Sequence, residues 1–246
     1  MKAQNIGDTL AFYATPGHEC SYLPPREATT LFADPRFPKD IELYTILSRH
    51  GFRRSGEHIY RPHCESCKAC IPVRVSADRF VPNRRQRRAW NKNTDLHVNA
   101  CEAVLNEEHF QLYRRYINAR HSGGGMDDPT REQYTQFLTS AWSDTIFFEF
   151  RNDTRLMAVS VTDTLLDGLS AVYTFFEPDL AQLSLGVFTV LWQIEEARRR
   201  GKNWLYLGYL IHSSRKMAYK SQYRPQEHFI EQRWTLQGAR EEITEI

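Results

Sequence analysis

The sequence predicts a mixed α/β fold, an α+β arrangement built on one mixed sheet, from three observations. Residues 145–176 hold successive runs rich in β-branched and aromatic residues. A glycine-containing turn, an apolar-faced helix and a further strand follow at 184–209. Ahead of both, an N-terminal stretch joins a cysteine-rich loop to a basic helix. A smaller cysteine-containing N-terminal domain is therefore expected at 1–98 and a larger one at 99–246. With 246 residues, 41% of them hydrophobic and 13% aromatic, the chain can bury one large core or two small ones.

Taken in order, "DIELYTILSRH" spaces Ile41, Tyr44 and Leu47 for a helix that Gly51 stops. "GFRRSGEHIYRP" reads as a hairpin about Ser55-Gly56. After the cysteines, "IPVRVSADRF" alternates Val73 and Val75 with Arg74 and Ser76, the pattern of a half-buried strand, and Pro82-Asn83 opens the basic helix. "EEHFQLYRRYINARH" places Phe110, Tyr113 and Ile117 on one helical face and ends before the glycine-rich loop "SGGGMDDPT". "REQYTQFLTSAW" is a second short helix. "TIFFEF", "LMAVSVTDTLL" and "LSAVYTFF" are strands joined by turns at 151–154 and at Asp167-Gly168. "SLGVFTVLWQIEEARRRG" is a helix with Val187, Val190, Leu191, Ile194 and Ala197 inward, expected to be capped by Ser184 and stopped by Gly201, and the strand "WLYLGY" follows.

The net charge of +2 predicts no bulk attraction to nucleic acid, but the charge is unevenly spread. Residues 79–92 carry six basic side chains and no acidic one, a patch that suits a phosphate backbone or a solvated helix face. The first twenty residues contain no continuous apolar run, and the charge-free run Leu180 to Ile194 is short and broken by Gln182, Ser184 and Thr189. A cytoplasmic protein without membrane contact is expected. Five cysteines, an odd number with three clustered, argue against a disulfide framework.

Strands, glycine turn, helix and strand in this order describe a sheet of the acyltransferase type and resemble the GNAT fold in the C-terminal part. GNAT acetyltransferases bind the coenzyme A pyrophosphate on a glycine-rich turn before that helix. Here "QLSLGV" retains only Gly186 of such a turn, so another acyl donor is expected, and charged tRNA is one. The stretches "CSYLP", "GFRRSGEHIYRPHCESCKACIPVRV", "SAVYTFF", "SLGVF" and "YLGYLIHSSRKMAYKSQYRP" together resemble the arginyl-tRNA–protein transferase family, from about Tyr13 to Glu227. The short bacterial branch, which moves leucine onto N-terminal Asp or Glu, is the more similar. The eukaryotic arginyl enzymes are much longer and carry Cys-x-x-Cys at the first motif, where this chain has Cys20 followed by Ser21, Tyr22 and Leu23.

An aminoacyl ester on tRNA is already activated, so the reaction needs positioning, a deprotonated amine and oxyanion stabilisation, with no cofactor required. Acidic acceptors require cations. The tract "YLGYLIHSSRKMAYKSQYRP" offers Tyr209, His212 and Tyr219 as catalytic candidates and Arg215, Lys216 and Lys220 as acceptor-binding cations, or else is a solvated polar loop. Its Lys-Met-x-Tyr-Lys core at 216–220 matches the family pattern, which favours the functional reading, and Arg74 and Arg53 or Arg54 are further acceptor-binding cation candidates. The donor is expected at Arg84, Arg85, Arg87, Arg88 and Lys92 on the basic helix, and at Ser170, Tyr173, Ser184 and Gly186 along the sheet and turn. Phe175, Phe176 and Leu185 suit either an apolar pocket for the aminoacyl side chain or ordinary core. Cys20, Cys64, Cys67 and Cys70 supply four thiols, the count for zinc or an iron–sulfur cluster, although "HCESCKAC" lacks the paired knuckles of a zinc ribbon. The other reading is a reduced, architectural loop. Two rival functions are a non-catalytic nucleic-acid-binding protein and an acetyl-coenzyme A transferase.

Overall fold

One eight-stranded mixed sheet carries the molecule, and pieces from both ends of the chain complete it. The computed structural model describes residues 9–120 and 128–237. Most of the glycine-rich loop at 122–130 lies outside them.

The N-terminal strands are short: β1 (Phe12–Ala14), β2 (His18–Glu19), β3 (Glu27–Ala28) and β4 (Thr30–Ala33). Helix α1 (Ile41–Arg49) starts where the Asp40 carboxylate accepts the Leu43 amide at 2.7 Å, a side-chain cap. The expected hairpin is β5 (Arg53–Ser55) and β6 (His58–Pro62), and the four-stranded sheet runs β1-β4-β6-β5.

Next come β7 (Ile71–Ser76), α2 (Arg84–Asn91), β8 (His97–Glu102), α3 (Glu107–Arg120) and α4 (Arg131–Leu138). Strands β9 (Thr145–Asn152), β10 (Arg155–Thr164) and β11 (Gly168–Phe176) lead to α5 (Leu185–Arg199) and β12 (Trp204–Leu210). Strands β13 (Gln226–Ile230) and β14 (Arg233–Gln237) form a closing hairpin. The large sheet is ordered β14-β13-β7-β12-β11-β10-β9-β8, and the β11–β12 pair, joined through α5, is parallel. The mixed α/β sheet read from the sequence is therefore present. The boundary expected near residue 98 falls within β8, which pairs with β9, while β7 lies between β12 and β13.

Each face of the sheet is covered by the helices whose apolar periodicity matches it. Val190, Leu191, Ile194 and Ala197 of α5 pack on Val73, Val75, Leu205 and Leu207. Phe110, Tyr113 and Ile117 of α3 and Tyr134 and Leu138 of α4 pack on Phe147, Val159, Val161 and Phe175. Each such side chain stabilises the fold by about 1.5–3 kcal/mol on burial. The hairpin is tied in by charge as well: Arg54 is buried against Asp163 of β10, which also accepts the Tyr44 hydroxyl at 2.9 Å. Among the described residues, no helix is long and apolar enough to cross a membrane.

Ser184 departs from expectation. It precedes α5, but with φ at 56° its side chain makes no cap; its carbonyl accepts the Val187 and Phe188 amides instead.

Candidate active site

Strands β11 and β12 pair only over Gly168–Ser170 and Trp204–Tyr206, and then part. Past that point β11 runs on to Phe176, while β12 continues beside β7, with Tyr209 opposite Pro72 and Leu210 opposite Ile71. The result is a fork in the sheet, and the Arg53 guanidinium from the hairpin lies in it. Its NH2 donates to the Ala171 carbonyl at 2.5 Å and to the Val172 carbonyl at 3.2 Å. Gly208 makes room. It sits at φ +75°, where the β7–β12 register shifts, and a Cβ there would lie 2.0 Å from Arg53 NH1.

Tyrosines surround the fork. Tyr219 and Tyr22 are 42% and 40% exposed, and the protein around them partly desolvates both. This desolvation, with Tyr116 nearby, pushes Tyr219 up to about 12 while Arg53 pulls it down. Tyr22 is likewise raised by burial and by Tyr60, against Arg53. Both tyrosines stand where the Arg53 charge reaches them, on the side of the fork. Tyr173 stands on the β11 side, its ring 6.0 Å from Tyr113 and 6.4 Å from Tyr116, and burial raises its hydroxyl pKa. Phe176 packs on Tyr116 at 4.9 Å and against Gly186, where a Cβ would come within 2.8 Å of its ring. Gly186 thus lets α5 start close to β11. Phe175 and Leu185 are both buried. Ser170, also buried, is in the last paired position before the strands diverge.

Beyond β12, Lys220 is only 4% exposed, and its Nζ donates to the Tyr209 carbonyl at 2.8 Å. Desolvation and then Arg53 hold its pKa well below the ordinary lysine value; Cys70 acts in the opposite sense. The Tyr209 hydroxyl, expected to take part in catalysis, is buried and donates to the carbonyls of Gly51 (3.0 Å) and Tyr60 (3.2 Å). It anchors the N-terminal segment to the fork. His212, Arg215 and Lys216 are exposed on the turn that follows β12. Arg74, expected at the acceptor, gives Nε and NH2 to Glu227 at 2.9 and 2.7 Å and is sandwiched by Trp204 at 3.8 Å and Trp234 at 4.3 Å. Its charge is already matched.

The basic helix packs on α5 through Trp90 and Phe188, 5.4 Å apart, and reaches the segment after Lys220 through Gln86, which donates to the Gln222 carbonyl. Arg84, Arg85, Arg87 and Arg88 are exposed, and among the described residues none forms a salt bridge. Lys92 donates to the Gln182 carbonyl at 2.8 Å in the loop before α5. A positive surface therefore flanks the fork.

Residues 18–88 match the family model described as "Arginine-tRNA-protein transferase, N terminus", and residues 108–230 match "Arginine-tRNA-protein transferase, C terminus". A protein of Pseudomonas putida named aspartate/glutamate leucyltransferase is 55% identical over 92% of this chain and 96% of its own. One of Pseudomonas fluorescens with the same name is 53% identical, covering 92% and 97%, and one of Pseudomonas syringae pv. tomato is 52% identical, covering 92% and 96%. The chain belongs to the arginine-tRNA–protein transferase family. The two matched segments meet at the fork: Tyr22 and Arg53 come from the N-terminal one, and β11, β12, Tyr219 and Lys220 from the C-terminal one.

The family's N-terminal segment also carries the cysteine loop. Burial, then Cys20, Cys64 and Cys67 in turn, pushes the Cys70 thiol up to about 12, so the four sulfurs share one neighbourhood. Cys67 accepts an N–H from Arg26 at 3.5 Å, and Cys64 donates to the Thr29 carbonyl at 3.8 Å. Among the described residues, no three His, Cys, Asp or Glu side chains are arranged to ligate one ion.

Sequence reasoning misses Tyr22, Tyr60 and Tyr116 at the site. Tyr22 lies in "CSYLP", a stretch that carries the family resemblance, but nothing in that stretch assigns its hydroxyl a role. Tyr116 is three residues from Tyr113, on the edge of a helical stripe that periodicity alone assigns to core.

Proposed function

We propose that this chain transfers leucine from Leu-tRNA to the amino terminus of proteins that begin with Asp or Glu, acting in the cytoplasm where charged tRNA is found. The observation that carries the reading is identity above 50%, over nearly the full length of both chains, to proteins named aspartate/glutamate leucyltransferase. The forked sheet beside a basic helix is consistent with it.

In the reaction, the acceptor's neutral α-amine attacks the ester carbonyl of the aminoacyl-tRNA. A new C–N bond forms, the C–O bond to the terminal ribose breaks, and the amine's proton passes to the ribose oxygen or to solvent. A free α-amine has a pKa of about 7.7–8.0, so modest help with deprotonation suffices. Holding amine and ester together in the cleft supplies much of the rate. The α2 arginines receive the tRNA backbone. The new N-terminal leucine then marks the product for degradation by machinery that reads terminal residues.

The test is direct: the full-length chain, Leu-tRNA with labelled leucine, and peptides that begin with Asp or Glu. Label in those peptides, and none in peptides beginning with Lys, is expected. No label in any acidic peptide refutes the reading.

A further inference from the structure

We propose that Arg53, in the fork between β11 and β12, is the residue that reads the side-chain carboxylate of the acceptor's first amino acid. The inference rests on the leucine-transfer reading and adds the specificity determinant to it.

Arg53 differs from its neighbours in what it lacks. Arg49 holds Asp167, Arg54 holds Asp163 and Arg74 holds Glu227. Among the described residues, Arg53 forms no ion pair, and its only hydrogen-bond acceptors are the two β11 carbonyls, both taken by NH2. Nε and NH1 have no acceptor there. A partly buried guanidinium with spare donors gains most from an anion that enters its site.

Among the described residues, no carboxylate pairs with Arg53 in the fork. The leading charges that act on Tyr22, Tyr209, Tyr219 and Lys220 come from other tyrosines, cysteines and Arg53. Lys220, beside it, is buried with its Nζ committed to the Tyr209 carbonyl at 2.8 Å, whereas Arg53 keeps Nε and NH1 for an incoming group.

A single guanidinium among tyrosine hydroxyls suits one carboxylate better than a phosphate chain, which needs several cations in a row. The exposed arginines of α2 provide that row. The aminoacyl end of the donor bears an α-amine and an ester but no carboxylate, so the acceptor's Asp or Glu side chain is the carboxylate to be placed here. Gly208 bears on the same point, since any side chain there would displace the guanidinium.

The test measures leucine transfer by Arg53→Gln, Arg53→Lys and wild type to peptides that differ only in starting with Asp or Asn, with Leu-tRNA binding measured in parallel. For Arg53→Gln, KM for the Asp peptide is expected to rise about 100-fold with kcat little changed and Leu-tRNA affinity retained, so that the preference for Asp over Asn collapses. Arg53→Lys keeps the charge and should lose about tenfold. An unchanged Asp/Asn ratio in Arg53→Gln, or equal losses on both peptides, overturns the inference while the leucine-transfer reading stands. If Arg53→Gln does not fold, the Asp/Asn ratio of Arg53→Lys decides, and an unchanged ratio overturns the inference. A wild-type chain that labels no acidic peptide overturns the functional reading, and this inference with it.

Discussion

Arg54 and Asp163 meet in the protein interior with neither side chain exposed, Nε 2.7 Å from Oδ2 and NH2 2.8 Å from Oδ1. The next residue in sequence after Arg53 thus rivets the hairpin to β10 and fixes how far Arg53 reaches into the fork. Asp163→Asn leaves the Arg54 charge buried without a counter-ion and is expected to cost about 3–5 kcal/mol of stability. Pairing it with Arg54→Met should restore much of that in urea unfolding. A single variant as stable as wild type would show that the pair is not a structural anchor.

The exposed arginines of α2 predict a salt effect. Replacing Arg84, Arg85, Arg87 and Arg88 with alanine should weaken tRNA binding and lower the slope of log K against log salt by about one for each arginine that neutralises a phosphate. A quadruple variant with the wild-type slope would mean that the helix is only a solvated face.

His228 predicts an acid-labile fold. Burial chiefly, then His212 and Arg224, lowers its pKa to about 4, and its Nε2 is buried without a hydrogen-bond partner among the described residues. The unfolded chain takes up this proton near pH 6.5, the native one only near 4. Between those values the unfolded state binds more protons, so stability falls as pH falls, by up to about 3 kcal/mol. Urea midpoints of His228→Gln and wild type should converge as pH drops from 7 toward 4.5. Parallel curves would remove His228 as the cause.

If the thiols around Cys70 serve packing and the turn into β7, chelation followed by desalting is expected to leave leucine transfer intact. Near-stoichiometric zinc or iron in anaerobically purified protein, together with activity lost on chelation, would reverse that expectation.

What could be read from the sequence depended on whether the cause was local. α3, α5 and β9 to β11 followed from periodicity because each buries a face set by its own side-chain spacing. The short exposed strands β1 to β3 and the β13–β14 hairpin carry no such signal. The fork was legible only as a place, near Ser170 and Tyr173. Arg53, Arg54 and Arg74 look alike as residues; Asp163 and Glu227 distinguish them, and these lie more than a hundred residues away in the chain. The Ser184 cap failed because a backbone turn, whose dihedral no residue type dictates, already supplies the acceptor for the first helical amides.

The place of β7 in the large sheet has a consequence for synthesis. A ribosome releases β7 long before either of its partners exists, since β12 and β13 both follow more than a hundred residues later. Val73 and Val75, buried in the finished protein, therefore wait in solvent or in the care of a chaperone until nearly the last strand has emerged. Such late closure, dominated by pairings between distant parts of the chain, slows folding and leaves the nascent polypeptide open to aggregation. The same late step builds the fork, so a truncated chain without its final strands lacks the means to assemble the place where its substrates would meet.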